Sequence, residues 1–253
     1  MRRTFAAKSR LQKAQFSAGF FLNVVLFGVL ALLPPMLERL MGYPVVLTGL
    51  VTAPRGVGTL ISMGLVSRIL RRVDVRIVIV AGLAMASFSV WNMSGFSLGM
   101  DARLVVVSGF VQGIGTGLLF VALSTVSFGT LPARLRNEGA GILMLIRNIG
   151  SAAGISILQV LTVRTSAAAH ARLAEGIRPD NPILQSNMPG FDFNAPAAIA
   201  ALNAEIGRQA AMISYIDVFW LLFILSLCMM PLIFFVRPPR RAATSEEIAL
   251  HVK

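Results

Sequence analysis

The sequence predicts an all-α membrane protein with six transmembrane helices, and three observations carry this prediction. Of the 253 residues, 56% are hydrophobic and only 13% are charged, whereas soluble domains carry about 25% charged residues. Six apolar stretches follow one another along the chain, each near the ~20 residues that cross a bilayer as a helix. None of them shows the alternation of a membrane β-barrel. Water-soluble fold classes are therefore excluded.

The six stretches must be helical because lipid offers no partner to unpaired backbone groups. We place them at 17–37, 46–67, 77–96, 104–130, 139–163 and 213–236, and number them as the first to sixth segments. They form a single domain over 1–253, with one long loop at 164–212. The centre of this loop is rich in proline and glycine and is expected to be irregular. Its flanks have helical spacing and are expected to lie on the membrane surface, where the loop would cap the bundle, dock a partner or gate a substrate.

The basic residues indicate how the chain is oriented. Most of the 23 lysines and arginines fall in the N-terminal arm, the connections at 68–76 and 131–138, and the C-terminal tail. Lysine and arginine accumulate on the cytoplasmic side of membrane proteins, so both termini are expected to be cytoplasmic. The net charge of +12 thus reflects membrane loops, and a nucleic-acid partner is not expected.

Cysteine, histidine and the acidic residues offer no reactive centre. Cys228 is alone in an apolar run, and His170 and His251 lie far apart in sequence. No metal-ligand spacing, phosphate-binding loop or nucleophile motif is present. We therefore expect no metal, no cofactor and no enzymatic activity.

Three segments carry a narrow stripe of small and polar residues on an otherwise apolar helix. In the fourth segment the stripe consists of Gly109, Gln112, Gly113, Thr116 and Gly117. In the second it consists of Thr52, Arg55, Gly56, Thr59 and Met63, and in the fifth of Arg147, Gly150, Ser151 and Gly154. Small residues at this spacing let membrane helices approach closely, so the glycines are interpreted as helix-packing positions. The stripes should meet one another or face a segment outside this sequence.

Two arginines, Arg55 and Arg147, lie inside predicted helices. An arginine near the membrane centre costs at least about 2.5–3.5 kcal/mol, and such residues usually face the bundle interior or a wet cavity. Among the eleven carboxylates only Asp217 lies within a segment, and it is near the outer end. Either lipid phosphates and helix carbonyls satisfy the two arginines, or their counter-charges belong to another polypeptide segment, which is the interpretation we favour.

Several runs occur in a fixed order along the chain: GYPVVLTGLVTAPRGVG at 42–58, SRILRRVDVR at 67–76, LPARLRNEGAGILMLIRNIGSAAGISI at 131–157 and YIDVFW at 215–220. Together they resemble the EmrB/QacA-type drug:proton antiporters, the fourteen-helix branch of the major facilitator superfamily. The run at 67–76 departs from the family pattern because its acid comes late, as Asp74. The family's antiporter signature of the N-terminal half is not in this sequence.

The resemblance implies that the six segments form the C-terminal bundle of such a transporter, in the bacterial cytoplasmic (inner) membrane. It implies that the first and fourth segments line a central cavity. The second and fifth would pack against an N-terminal bundle that supplies counter-charges to the two arginines. Six residues are candidates for roles in transport: Asn23, Gln112 and Met144 in the substrate pathway, and Arg55, Arg147 and Asp217 in coupling or at the bundle interface.

The function implied is proton-coupled efflux of amphipathic compounds, by a chain that is inactive without an N-terminal bundle. Its partners would be small amphipathic organic substrates, protons, membrane lipid, the N-terminal transporter half and a periplasmic adaptor. The alternatives are a non-transporting or regulatory membrane half-protein, and a gene fragment.

Overall fold

The computed structural model describes residues 23–129, 136–178, 186 and 195–233, and the regular structure in these residues is entirely α-helical. Six long helices follow in chain order: α1, whose described part is 23–39, α2 at Val45–Arg72, α3 at Val75–Met93, α4 at Ala102–Gly129, α5 at Arg136–Glu175 and α6 at Pro196–Ile233. Five of them, α2 to α6, are long and apolar enough to cross a membrane. The predicted all-α membrane bundle is confirmed.

Short turns join the first four helices. Gly42 has φ of 68°, a left-handed conformation that glycine adopts at little cost, and Pro44 directly precedes α2. Between α2 and α3 the chain is extended at Val73 and Asp74. The Asp74 carboxylate accepts the N–H of Arg76 at 3.0 Å and so satisfies a free donor at the start of α3. Such short connections make successive helices antiparallel.

The centre of the bundle is α1. Gly28 of α1 is in close contact with Leu158 of α5 and lies beside Leu222 of α6. A Cβ atom on Gly154 of α5 would lie 2.5 Å from Val24 Cγ2, so the backbone of α5 packs on the Val24 side chain of α1 at this level. Most apolar side chains of α1 are buried in this arrangement.

Helix α4 packs between α2 and α3. At the α3–α4 contact two glycines face each other, since a Cβ atom on Gly115 would lie 2.6 Å from the carbonyl oxygen of Gly82. Helix α3 also contacts α6, where the hydroxyls of Ser87 and Ser226 are 2.7 Å apart and both residues are buried. Helix α5 packs mainly against α6.

The flanks of the long loop predicted at 164–212 are helical and continuous with α5 and α6, and their position relative to the membrane surface stays a prediction. Helix α5 continues unbroken to Glu175, and α6 begins at Pro196. The segment 164–175 contains no proline or glycine and is rich in alanine, which favours continuation of the helix. The two extensions meet where His170 Nε2 and Asn203 Oδ1 form a 2.9 Å hydrogen bond.

Parts of the predicted elements lie outside the described residues. These are most of the irregular centre of the loop and the outermost residues of three predicted segments, at 17–22, 130 and 234–236. Where the other predicted segments enter and leave the membrane stays a prediction.

The Ser87–Ser226 hydrogen bond generates a prediction about the stability of the bundle. A double-mutant cycle with Ser87→Ala and Ser226→Ala should give a coupling free energy of about 0.6 kcal/mol, the average for such bonds between membrane helices. The measurement is unfolding of the purified chain in mixed micelles. Ser214→Ala is the matched control, since the buried Ser214 hydroxyl bonds the Ala211 carbonyl of its own helix at 2.8 Å. A cycle of Ser87 with Ser214 should be additive, and additivity in the Ser87–Ser226 cycle would contradict the contact.

Candidate functional site

A cleft with a volume of about 520 Å³ opens between α1, α2 and α4. Its walls are mostly apolar and contain one charged group, the guanidinium of Arg55. The lining residues are Leu30, Leu33 and Pro34 of α1, Gly49, Thr52, Ala53, Arg55, Gly56, Thr59 and Leu60 of α2, and Val105 and Gly109 of α4. A volume of this size lies within the range of about 300–1,000 Å³ that is typical of small-molecule sites.

The close crossing of α2 and α4 holds one side of this cleft together. Gly113 of α4 lies directly on the carbonyl of Arg55, and Gly117 lies on the hydroxyl of Ser62, so neither position has room for a side chain. Thr59 Oγ1 donates to the carbonyl of Gly113 at 3.1 Å across the crossing. At Gly109 the packing is looser, since a Cβ atom there would lie 3.8 Å from Arg55 Cβ, an ordinary van der Waals contact. The polar stripes of the second and fourth segments thus face each other.

Arg55 bridges from α2 to α1. Its Nη2 donates to the backbone carbonyl of Leu26 at 2.7 Å. Its Nη1 is buried and has no hydrogen-bond partner among the described residues. The only ion pair in the described part of the chain, Arg208–Glu205, lies elsewhere, at the start of α6. A helix carbonyl therefore satisfies part of the guanidinium, and the charge itself is not neutralised by a described residue.

Gln112 is the second polar group that is left unsatisfied. The residue is completely buried, and both its amide nitrogen and its amide oxygen lack a partner among the described residues. Leaving a buried polar group unpaired costs about 1–3 kcal/mol. Gln112 precedes Gly113 in α4, so it lies within a helical turn of the crossing point but does not line the cleft.

Arg147 of α5 is held differently. Its Cζ atom lies 4.1 Å from the centroid of the Phe120 ring of α4, within the range of a cation–π interaction. The residue is half-buried, and α5 makes few other contacts with α4. The stripe of the fifth segment therefore does not meet the other two stripes. Gly154 faces α1, and Gly150 is buried on the same helix.

The remaining candidates are spread over the bundle. Asn23 is buried at the start of the described part of α1, and Met144 of α5 is exposed. Asp217 is exposed on α6, on the same outward stripe as Ile213 and Trp220. Asn23, Gln112 and Met144 are not brought together in the cleft, and their roles in a substrate pathway stay predictions.

The resemblance implies that the first segment lines a cavity, but the residue pattern did not indicate which α1 residues line the cleft. Leu30, Leu33 and Pro34 are apolar residues on an apolar helix, and nothing in their pattern separates a wall of a cleft from a lipid-facing surface. From the residue pattern, the signals for this cleft were the stripe of Thr52, Arg55 and Thr59 on α2 and Gly109 of the stripe on α4.

The described residues thus form a helical membrane bundle with an apolar cleft and one partly buried arginine in its wall, and ionisable residues inside membrane proteins usually face the bundle interior or a wet cavity. Residues 3–168 match the family model of the Major Facilitator Superfamily. The chain belongs to this superfamily.

The chain is similar to proteins named for multidrug export, multidrug resistance and fatty acid resistance. The chain is 27% identical to the multidrug export protein EmrB of Escherichia coli (strain K12) over 84% of its own length and 42% of that protein. It is 26% identical to the probable multidrug resistance protein EmrY of the same strain, with the same coverage. It is 25% identical to the fatty acid resistance protein FarB of Neisseria gonorrhoeae, over 88% of this chain and 44% of FarB. The chain thus spans less than half the length of these relatives, and the resemblance to EmrB-type transporters is confirmed.

The α2–α4 crossing yields a prediction with a control on the same helix. Gly113→Ala places a methyl group on the Arg55 carbonyl and should lower the free energy of unfolding by about 1–3 kcal/mol, as overpacking does. Gly109→Ala, one turn away, meets its nearest atom at 3.8 Å and should leave stability unchanged or raise it. Unfolding of the two purified variants in mixed micelles measures the difference. Equal stability of the two variants would contradict the crossing.

Proposed function

We propose that this chain forms the C-terminal six-helix bundle of a proton-coupled efflux transporter for amphipathic organic compounds. The observation that carries the proposal is its similarity, over most of its own length, to proteins named for multidrug export and fatty acid resistance. Transporters built from repeats move substrate by rocking one bundle against the other around a site near the bilayer midplane. A six-helix bundle therefore needs a second bundle to alternate access.

The apolar faces of α2 and α5 are the proposed contacts with this second bundle. In the most apolar stretch of each helix, only 22% of the residues of α2 and 17% of those of α5 are buried. The corresponding share in α3, α4 and α6 is 44–50%. Helix α2 contributes only Val51 and Val66 to the buried apolar core. Lipid can cover an apolar face, but a polar group on such a face needs a partner. Helix α5 carries such a group, the half-buried Arg147, which lies against Phe120 of α4.

The cleft beside α1 is the proposed start of the substrate pathway within this bundle. It is apolar enough for an amphipathic compound, and it touches α1 and α4, the two helices that would line a central cavity. We assign Gln112 to the same pathway because its unpaired amide is adjacent to the α2–α4 crossing. Asn23 on α1 and Met144 on α5 are proposed to belong to the same pathway outside the walls of this cleft.

Arg55, Arg147 and Asp217 are proposed to act in coupling or at the interface between bundles. Supporting this, the described residues provide no carboxylate partner to either intramembrane arginine. The acids that would carry protons then belong to the N-terminal half. Both termini are proposed to be cytoplasmic, with a periplasmic adaptor on the opposite side, where α5 and α6 extend beyond the core of the bundle.

Reconstitution of transport from two halves tests the proposal. The chain is co-expressed with the part of the Escherichia coli EmrB protein that precedes the matched region, in cells that lack their own efflux pumps. Dye accumulation should fall only when both halves are present, because one bundle cannot alternate access. Each half expressed alone is the control.

Two outcomes would overturn the proposed transport function. Halves that co-purify without lowering dye accumulation would favour a non-transporting or regulatory partner. Efflux by this chain expressed alone would remove the need for a second bundle.

A further inference from the structure

The two tryptophans of the chain lie at nearly the same level of the bundle, toward one of its ends. The hydroxyls of Ser87 in α3 and Ser226 in α6 are 2.7 Å apart and so mark a common level of the two antiparallel helices. From this contact Trp91 and Trp220 lie toward the same end, about 6 and 9 Å along the helix axes at 1.5 Å per residue. Their side chains are 49% and 43% exposed. Both rings therefore face the surroundings of the bundle at one height.

This height corresponds to an edge of the hydrocarbon core of the membrane. Helix α3 has 19 residues, about 28 Å at 1.5 Å per residue, and so matches the ~30 Å of hydrocarbon in a bilayer. It ends at Met93, so Trp91 is within one turn of that edge. Tryptophan is enriched at the membrane–water interface because its ring is apolar and its N–H is polar. The two tryptophans thus mark the headgroup region at the end opposite the arginine-rich connection at 68–76.

Asp217 lies in this headgroup region, on the outward face of α6. It precedes Trp220 by three residues, about 4.5 Å along the helix axis, and its side chain is exposed. The only ion pair in the described part of the chain joins Arg208 and Glu205, so Asp217 has no ion-pair partner there. Its carboxylate is therefore free to accept hydrogen bonds from a ligand that approaches from the membrane.

The surface of α6 that continues from Asp217 into the membrane suits acyl chains. Leu221 and Ile224 follow Asp217 at intervals of four and three residues, so the three side chains share one face of the helix. Leu221 is 44% exposed and Ile224 is 51% exposed. The ring of Trp220 lies beside this face and packs edge-on against Phe223, with the ring centroids 5.6 Å apart. The face thus presents a carboxylate and an indole N–H at headgroup level, with an apolar strip below them.

We propose that Asp217 and Trp220 bind a phospholipid whose headgroup carries a primary ammonium group. The Asp217 carboxylate accepts from the ammonium, the Trp220 indole N–H donates to the phosphate or an ester carbonyl, and the acyl chains lie along Leu221 and Ile224. A primary ammonium has three N–H donors, whereas the quaternary ammonium of a choline headgroup has none. The site therefore distinguishes two headgroups of the same net charge. A lipid at Asp217 removes this residue from the bundle interface, one of the two roles proposed for it above.

Quenching of tryptophan fluorescence by brominated phospholipids tests the preference on the purified chain in nanodiscs. Trp91→Phe leaves Trp220 as the only tryptophan. Trp220→Phe leaves Trp91, which has no acidic residue within one turn and is the matched control. The discs contain phosphatidylethanolamine and phosphatidylcholine in equal amounts, with bromine on the acyl chains of one or of the other.

The ratio of the two quenching efficiencies reports which lipid lies beside each tryptophan. At Trp220 phosphatidylethanolamine should be favoured about threefold, as expected for an exposed ion pair, and at Trp91 the two lipids should quench equally. Equal quenching at Trp220 would overturn the proposal, and so would the same preference at both tryptophans.

Two further measurements assign the preference to the carboxylate. Asp217→Asn keeps the shape and removes the charge, so it should abolish the preference at Trp220. Asp101→Asn, at another exposed acid, makes the same change in net charge and should leave the preference intact. Without any substitution, stepwise N-methylation of the ethanolamine headgroup should reduce the preference, because each methyl group removes an N–H donor. A preference that survives Asp217→Asn, or one that methylation does not change, would overturn the assignment.

The same quenching in a complex with a tryptophan-free N-terminal half separates a lipid from a protein partner at Asp217. If a helix of that half covers Asp217, quenching of Trp220 by both lipids should fall in the complex, and the lipid site is overturned. Unchanged quenching and an unchanged preference support the lipid site. The inference does not depend on transport, so lost dye efflux with an intact lipid preference refutes only the proposed function. A missing preference with intact efflux refutes only the lipid site.

Discussion

The contact on which the rest of the structure depends is the backbone crossing of α2 and α4 at Gly113. In lipid no hydrophobic effect draws helices together, so close packing and interhelical hydrogen bonds must stabilise the pair. Gly113 and Gly117 allow this approach, and Thr59 bonds across it at 3.1 Å. The crossing sets the position of Arg55, whose guanidinium then reaches the carbonyl of Leu26 in α1. Three helices are thereby joined around the cleft.

This arrangement leaves buried polar atoms without hydrogen-bond partners, which costs stability. Arg55 Nη1 and the amide of Gln112 are buried without partners among the described residues, whereas buried serines such as Ser89 and Ser108 bond to carbonyls. Most buried polar groups in proteins are paired, so these unpaired groups lower the stability of the bundle at the α2–α4 crossing.

The sequence predicts the class of fold well because long apolar runs have one solution in a bilayer, the helix. It also indicates the glycines of α4 as packing positions, although not what each one faces. The stripes of the second and fourth segments meet, while that of the fifth lies against α1 and Phe120. The spacing of the small and polar residues is the same in all three segments, so it cannot show which stripes meet in the folded bundle. The helical spacing of the loop flanks was recognised, but the sequence did not show that these flanks continue α5 to Glu175 and begin α6 at Pro196 as unbroken helices. The residue pattern did not identify the α1 wall of the cleft, because its residues are as apolar as a lipid-facing surface; only the resemblance pointed to the first segment.

The measurement that tests the central claim most directly is site-specific photocrosslinking from the outer faces of the helices in cells that also contain the N-terminal half. A benzophenone side chain is placed at exposed positions of α2 and α5, Val57 and Ile157, and at matched exposed positions of α3 and α6, Phe88 and Ile224. The account predicts crosslinks to the N-terminal half from Val57 and Ile157 and none from the other two. Crosslinks from α3 and α6 instead, or none from α2 and α5, would contradict the claim that this bundle faces a second one through these helices.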